Sequence, residues 1–211
     1  MAVTPSRHDL AVIQIEAVVF DFDGVVRHWE EETTAAVERA HGLERGSIMA
    51  VAFGPELGEA VVTGAITHEQ WFVAIGERIG APEAMGDWTK DRGEVDADAV
   101  VLIDELRSSG ISVGLLSNAT TRLEEDLEVL GLRPHLDHVF NTARLGVCKP
   151  YPDVYHRVVE LLGIEGDQIA FTDDHPGWAA AAGVAGIHGL PFVDVFRLRA
   201  DLRFLGVPVD A

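Results

Sequence analysis

Three short apolar runs constrain this chain more than any other feature. They are Ala17-Val18-Val19-Phe20, Ile111-Ser112-Val113-Gly114-Leu115-Leu116 and Gln168-Ile169-Ala170-Phe171. Each is too short for a helix and rich in branched or aromatic side chains, the pattern of a strand buried on both faces. Each gives way at once to polar residues: Asp21-Phe22-Asp23, Ser117-Asn118 and Thr172-Asp173-Asp174. Helical patterns lie between them. Asp96 to Ser109 repeats Val100, Ile103, Leu106 and Arg107 at helical spacing and stops at Gly110. Leu123 to Leu130 carries Leu123, Leu127 and Leu130 on one face before Gly131. Asp153 to Leu162 carries Val154, Val158, Leu161 and Leu162 before Gly163. Glycine just past the last apolar residue suits a helix C-terminus, where a positive φ is needed. Strand and helix in alternation predict an α/β fold, a doubly wound, Rossmann-like parallel sheet with right-handed crossovers. Such sheets bind ligands just beyond the carboxyl ends of their strands, where these polar residues fall.

One stretch breaks the alternation. From Arg27 to Glu94 the signals are helical only. Glu30 to Ala40 and Glu56 to Thr63 are candidate helices. Thr67-His68-Glu69-Gln70 reads as a capping box, followed by Trp71, Phe72, Ile75 and Ile79 on one face. Trp71 and Phe72 suit the inside of such a bundle or a dimer interface, so the expected state is monomer or homodimer. The expected organisation is an α/β core of residues 1–26 and 95–211 with a helical bundle, residues 27–94, inserted after the first strand. No repeat or low-complexity tract interrupts this plan.

Composition narrows the partners. The 211 residues are 47% hydrophobic, so a packed core is expected. Sixteen basic side chains face 35 acidic ones, a formal net charge of −19. Such a chain repels nucleic acid and anionic membranes. A small phosphorylated substrate is still possible, because a metal ion inverts the local field. The single cysteine, Cys148, excludes an intrachain disulfide framework and a cysteine-rich zinc site. Met1 to Leu10 has no apolar run, and Gln14 and Glu16 interrupt the stretch from Leu10 to Phe20. No signal peptide or transmembrane helix is expected there, and the expected location is the cytoplasm.

The chemistry lies at the ends of the apolar runs. Asp21 and Asp23 point the same way on an extended chain and repel unless a cation or a shared proton intervenes. Taken alone, the pair equally suits a charged strand end in solvent. Asp173-Asp174 closes another strand, and four carboxylates at one sheet edge call for a metal. An oxygen-only donor set suits Mg²⁺. Lys149 is one of only two lysines. It could reach a phosphoryl group as a point charge or simply precede a helix at the surface. Ser117 and Asn118 could donate to a phosphate or cap the next helix.

Together, Asp21-Phe22-Asp23-Gly24-Val25, Leu115-Leu116-Ser117-Asn118, Lys149-Pro150 with Pro152 and Tyr155, and Phe171-Thr172-Asp173-Asp174 resemble the four motifs of the haloacid dehalogenase superfamily. The run Trp178 to Ile187 is similar to the helix and turn that follow. The resemblance implies a small helical cap at 27–94 and a Mg²⁺-dependent phosphatase acting on a small phosphorylated metabolite. It implies that Asp21 is the nucleophile, and that Asp23 is the general acid and base whose main-chain carbonyl also binds Mg²⁺. Ser117, Asn118 and Lys149 hold the phosphoryl oxygens. Asp174, with Asp173 as a ligand or its support, completes the metal site. The dehalogenase branch lacks an aspartate at the position of Asp23 and needs no metal, so Asp23 favours phosphate ester hydrolysis. A 2-haloacid dehalogenase, a sugar phosphomutase and a non-catalytic binding protein are the rival readings. His28 and Trp29, at the entry to the cap, are expected to line the substrate pocket, with core–cap packing an equal alternative for Trp29. His175 suits a cap or surface position, and Cys148 is expected to be a buried thiol without function.

Overall fold

The computed structural model describes residues 14–210. The expectations that fall on residues 1–13 and 211, the N-terminal reading among them, lie outside this range. Strand β1 (Ala17–Phe20) is followed by the two-residue strand β2 (Arg27–His28). Five helices come next: α1 (Glu31–Ala40), α2 (Ser47–Ala52), α3 (Gly58–Val62), α4 (His68–Ile79) and α5 (Pro82–Trp88). The chain returns through β3 (Glu94–Val95), α6 (Ala97–Ser108) and β4 (Ser112–Ser117). It continues with α7 (Leu123–Val129), β5 (His138–Asn141), α8 (Thr142–Leu145) and α9 (Pro152–Leu162). The last elements are β6 (Ile169–Asp173), α10 (Pro176–Ala181), β7 (His188–Pro191) and α11 (Val195–Phe204).

Five strands form one sheet in the order β5-β4-β1-β6-β7, every neighbouring pair parallel. The three apolar runs are its three central strands. All four residues of β1 are buried. The edge strands β5 and β7 were not apparent in the sequence. They are partly exposed and include His138 and His188, so no continuous apolar run marks them. Two apolar clusters cover the two faces of the sheet. Val18, Phe20, Val113 and Leu115 pack with α6, α7 and α11 on one face. Val19, Phe171, Val154, Tyr155 and Val158 pack on the other. Helix α9 differs from the expected face in one respect. Val154 and Val158 are buried with Tyr155, while Leu161 is exposed.

Helices α1 to α5 gather around an apolar cluster of their own, with Ile48, Val61, Trp71, Ile75 and Met85 at its centre. Trp71 is buried there and donates its indole N–H to the carbonyl of Ala52 at 2.8 Å. Phe72 packs against the same cluster. The capping box at Thr67 and Gln70 forms as expected, starting α4. Antiparallel β2 and β3 bring the two ends of the insertion together, with Arg27 opposite Val95. No helix among the described residues is long and apolar enough to cross a membrane.

Candidate active site

Strand register brings the motif residues to one edge. Phe20 lies opposite Leu115 on one side and Thr172 on the other. Asp21 therefore leaves the sheet beside Asp173, and its N–H donates to the carbonyl of Thr172 at 2.9 Å. Ser117, the last residue of β4, is buried at the same edge. The connections from β1 and from β5 lead to opposite sides of β1, so this edge is the topological switch point of the sheet.

Lys149 is the electrostatic centre. Its ammonium lies 2.7 Å from Asp21 Oδ1 and 2.7 Å from Asp173 Oδ2. Both the lysine and Asp173 side chains are fully buried. The ammonium also sits 5.0 Å from the centre of the Trp178 ring and 5.5 Å from that of Phe171. Asn118 holds the main chain of Lys149 from both sides. Its amide donates to the Lys149 carbonyl at 2.9 Å and its oxygen accepts from the Lys149 N–H at 2.9 Å. The Asn118 side chain is thus spent on the lysine.

Three carboxylates, those of Asp21, Asp173 and Asp174, present oxygens within 4.8 Å of one another. One ammonium cannot neutralise three such groups. Burial pushes the Asp21 carboxyl up to about 7; Lys149 opposes this and Asp173 adds to it. Burial, and then Asp173, also raise Asp174. Gly24 makes room for the third carboxylate. It has φ of +86°, and a Cβ there would stand 2.2 Å from Asp174 Oδ2. An oxygen-only donor set with surplus negative charge and a cleared approach fits a hard divalent cation such as Mg²⁺.

The carboxylate of Asp23 stands outside this group of three. Its Oδ1 accepts from Arg27 Nε at 2.7 Å and from Trp29 Nε1 at 2.7 Å. Arg27 did not emerge from the sequence reading, although an Asp–Arg pair four residues apart was there to be seen. Trp29 contacts Asp23 and its ring lies over the Arg27 guanidinium. His28 is not brought to the carboxylates. Its Nε2 lies 3.0 Å from Asp96 Oδ2, at the N-cap of α6. His175 is exposed, stacks on Trp178 and donates its main-chain N–H to Asp173 Oδ1. Cys148 is buried against the cluster of the inserted helices.

The insertion touches this edge directly. His68, at the start of α4, donates its main-chain N–H to Thr121 Oγ1 at 3.0 Å. Its ring lies 2.9 Å from Arg122 Nη1 and 3.2 Å from Thr120 Oγ1. The Thr142 hydroxyl donates to the Val62 carbonyl at 2.7 Å. These loop residues follow Ser117 and β5, so the insertion is seated over the same sheet edge.

A family model described as haloacid dehalogenase-like hydrolase matches residues 15–186. A phosphatase of Mycobacterium tuberculosis is 26% identical over 187 residues, covering 83% of this chain and 86% of that protein. A haloacid dehalogenase family enzyme from Bacteroides thetaiotaomicron, solved with magnesium and inorganic phosphate, superposes with a TM-score of 0.71. It is 19% identical and covers 84% of this chain and 93% of its own. The L-2-haloacid dehalogenase of Xanthobacter autotrophicus superposes with a TM-score of 0.62 at 22% identity, covering 82% and 76% of the two chains. At these identities the two structures establish the fold alone.

Proposed function

This chain belongs to the haloacid dehalogenase-like hydrolase family, and from that premise we propose that it hydrolyses small phosphate monoesters with Mg²⁺, through a phosphorylated Asp21. One observation carries the reading. Asp21 shares a single buried ammonium with Asp173, and Asp174 completes a group of three carboxylates at the switch point. The phosphatase of Mycobacterium tuberculosis and the magnesium and phosphate in the Bacteroides enzyme support it.

In this reading the carboxylates of Asp21, Asp173 and Asp174, with the main-chain carbonyl of Asp23, hold the cation. When bound, it supplies positive charge against the phosphoryl oxygens. Lys149 and the Ser117 hydroxyl hold those oxygens from the protein side. Asn118 serves through Lys149, whose main chain it grips. An Asp21 oxygen attacks phosphorus in line as the bond to the leaving oxygen breaks. Asp23 gives that oxygen its proton. Asp23 then takes a proton from water as the water oxygen bonds to phosphorus and the bond to Asp21 breaks. The same reading divides the chain into a core of 1–26 and 95–211 and a cap of 27–94. The separate apolar cluster of α1 to α5 supports that division. A cap seated on the loop after β4 restricts substrates to small metabolites and shields the site from water.

The test is a panel of phosphate monoesters and 2-haloacids, with phosphate and halide both measured, with and without Mg²⁺. Phosphate release that needs Mg²⁺ and disappears in Asp21→Asn is expected. Halide release without metal would make the protein a dehalogenase. Isomerisation of a sugar phosphate without phosphate release would make it a mutase.

A further inference from the structure

We propose that Arg27 is the positioning residue for Asp23, and that with Trp29 it fixes the carboxylate that hands the proton to the leaving oxygen; this rests on the phosphatase reading above. Both donors converge on one atom. Arg27 Nε and Trp29 Nε1 each lie 2.7 Å from Asp23 Oδ1. No hydrogen bond from the described residues reaches Oδ2. One oxygen is anchored and the other is left to exchange a proton.

Arg27 is built as a fixed post. It is 5% exposed. Its guanidinium packs over two rings, 4.0 Å from the centre of Phe22 and 4.4 Å from that of Trp29. A tight turn fixes its main chain. The Phe22 carbonyl accepts from the N–H groups of Val26 and Arg27, and the Arg27 carbonyl accepts from Gly24. Burying a guanidinium is costly unless its donors are used, and structural arginines usually grip a carboxylate with both arms of the fork. Arg27 does neither. Its Nη1 is buried without a hydrogen-bond partner, and the nearby Asp126 Oδ2 is 3.8 Å away. Asp126 is already engaged by Arg92 at 2.5 Å and Arg122 at 3.2 Å. The hydrogen-bonded acid of Arg27 is Asp23, a side chain that is itself 41% exposed. The single hydrogen-bonding arm of this buried guanidinium is thus aimed at one half-exposed carboxylate.

Arg27 itself neither gives nor takes a proton, because a guanidinium stays charged. The proton moves from Asp23 to the leaving oxygen as the phosphorus–oxygen bond breaks, and Arg27 sets the geometry of that transfer. Its importance therefore scales with how much the leaving group needs the proton. An alkoxide needs it; para-nitrophenolate departs without it.

The experiment compares kcat/KM for glycerol phosphate and for para-nitrophenyl phosphate, since kcat/KM covers the steps through departure of the leaving group. Arg27→Met is expected to lower the glycerol phosphate value about 100-fold and the para-nitrophenyl value about threefold, the first being the scale of positioned acid catalysis. Trp29→Phe keeps a ring over the guanidinium and removes only the second donor. It is expected to show the same split at smaller size, and it decides the matter if Arg27→Met fails to fold. Equal losses on both substrates, or no loss, would overturn the proposal. A merely structural role would move both substrates together. Absence of phosphate release from the unmodified protein on every phosphate monoester of the panel would instead sink the phosphatase reading, and this proposal with it.

Discussion

Gly24→Ala tests whether the main chain after Asp21 is shaped around the third carboxylate. Two costs can be worked out. The residue has φ of +86°, where a Cβ costs about 1–2 kcal/mol. The new Cβ would also stand 2.2 Å from Asp174 Oδ2 and 2.6 Å from its Cγ, so the carboxylate must swing away. Asp174 is exposed and can turn toward solvent, so the steric conflict adds little to the stability cost. In a chain of this length, 1–2 kcal/mol corresponds to a fall in Tm of about 2–8 °C. Cation affinity should suffer far more. Disturbing the surroundings that orient a metal ligand weakens binding on the order of 10–100-fold, and the added Cβ displaces the ligand itself. Calorimetric titration with Mg²⁺ reads the affinity without reference to any substrate, and a thermal melt of the metal-free protein reads the stability. Asp174→Ala should weaken binding similarly, and adding Gly24→Ala to it should change Tm but hardly change affinity, because the two act on one ligand. If Gly24→Ala binds Mg²⁺ as tightly as the unmodified protein while Tm falls as expected, the glycine serves the turn alone and the argument fails.

Two further variants probe the charge balance. Lys149→Met leaves Asp21 and Asp173 facing each other without their shared ammonium. In urea denaturation without metal it should lose about 3–5 kcal/mol, with part of the loss recovered on adding Mg²⁺; unchanged stability would show that the pair is already neutral. Asn118→Ala removes two hydrogen bonds to the main chain of Lys149. It should cost about 1–3 kcal/mol and lower kcat with little change in KM, whereas a rise in KM alone would place Asn118 on the substrate.

The central sheet was legible because a strand buried on both faces must be apolar throughout. Ala17 to Phe20, Val113 to Leu116 and Ile169 to Phe171 had to read as they do. The edge strands β5 and β7 and the short helices α2 and α5 were not legible. They are partly exposed or only two turns long, and neighbours stabilise them more than their own periodicity does. Asp21, Ser117, Lys149, Asp173 and Asp174 stood out as candidates at strand ends or before a helix, and the family resemblance singled them out from their blander readings. Their distances were not legible.

Local sequence thus determined which residues end the central strands of an α/β sheet, since a strand end is a local event, whereas the order β5-β4-β1-β6-β7 departs from chain order and belongs to the fold. Only the folded chain decided which of them share partners. Lys149 meets both Asp21 and Asp173, Asn118 turns to the lysine's main chain, Gly24 yields space to Asp174, and His28 turns to Asp96. Apart from the short-range pair of Asp23 and Arg27, these contacts join residues far apart in the chain. Their geometry depends on strand register and on the packing of buried charge, and neither leaves a periodic mark in the sequence.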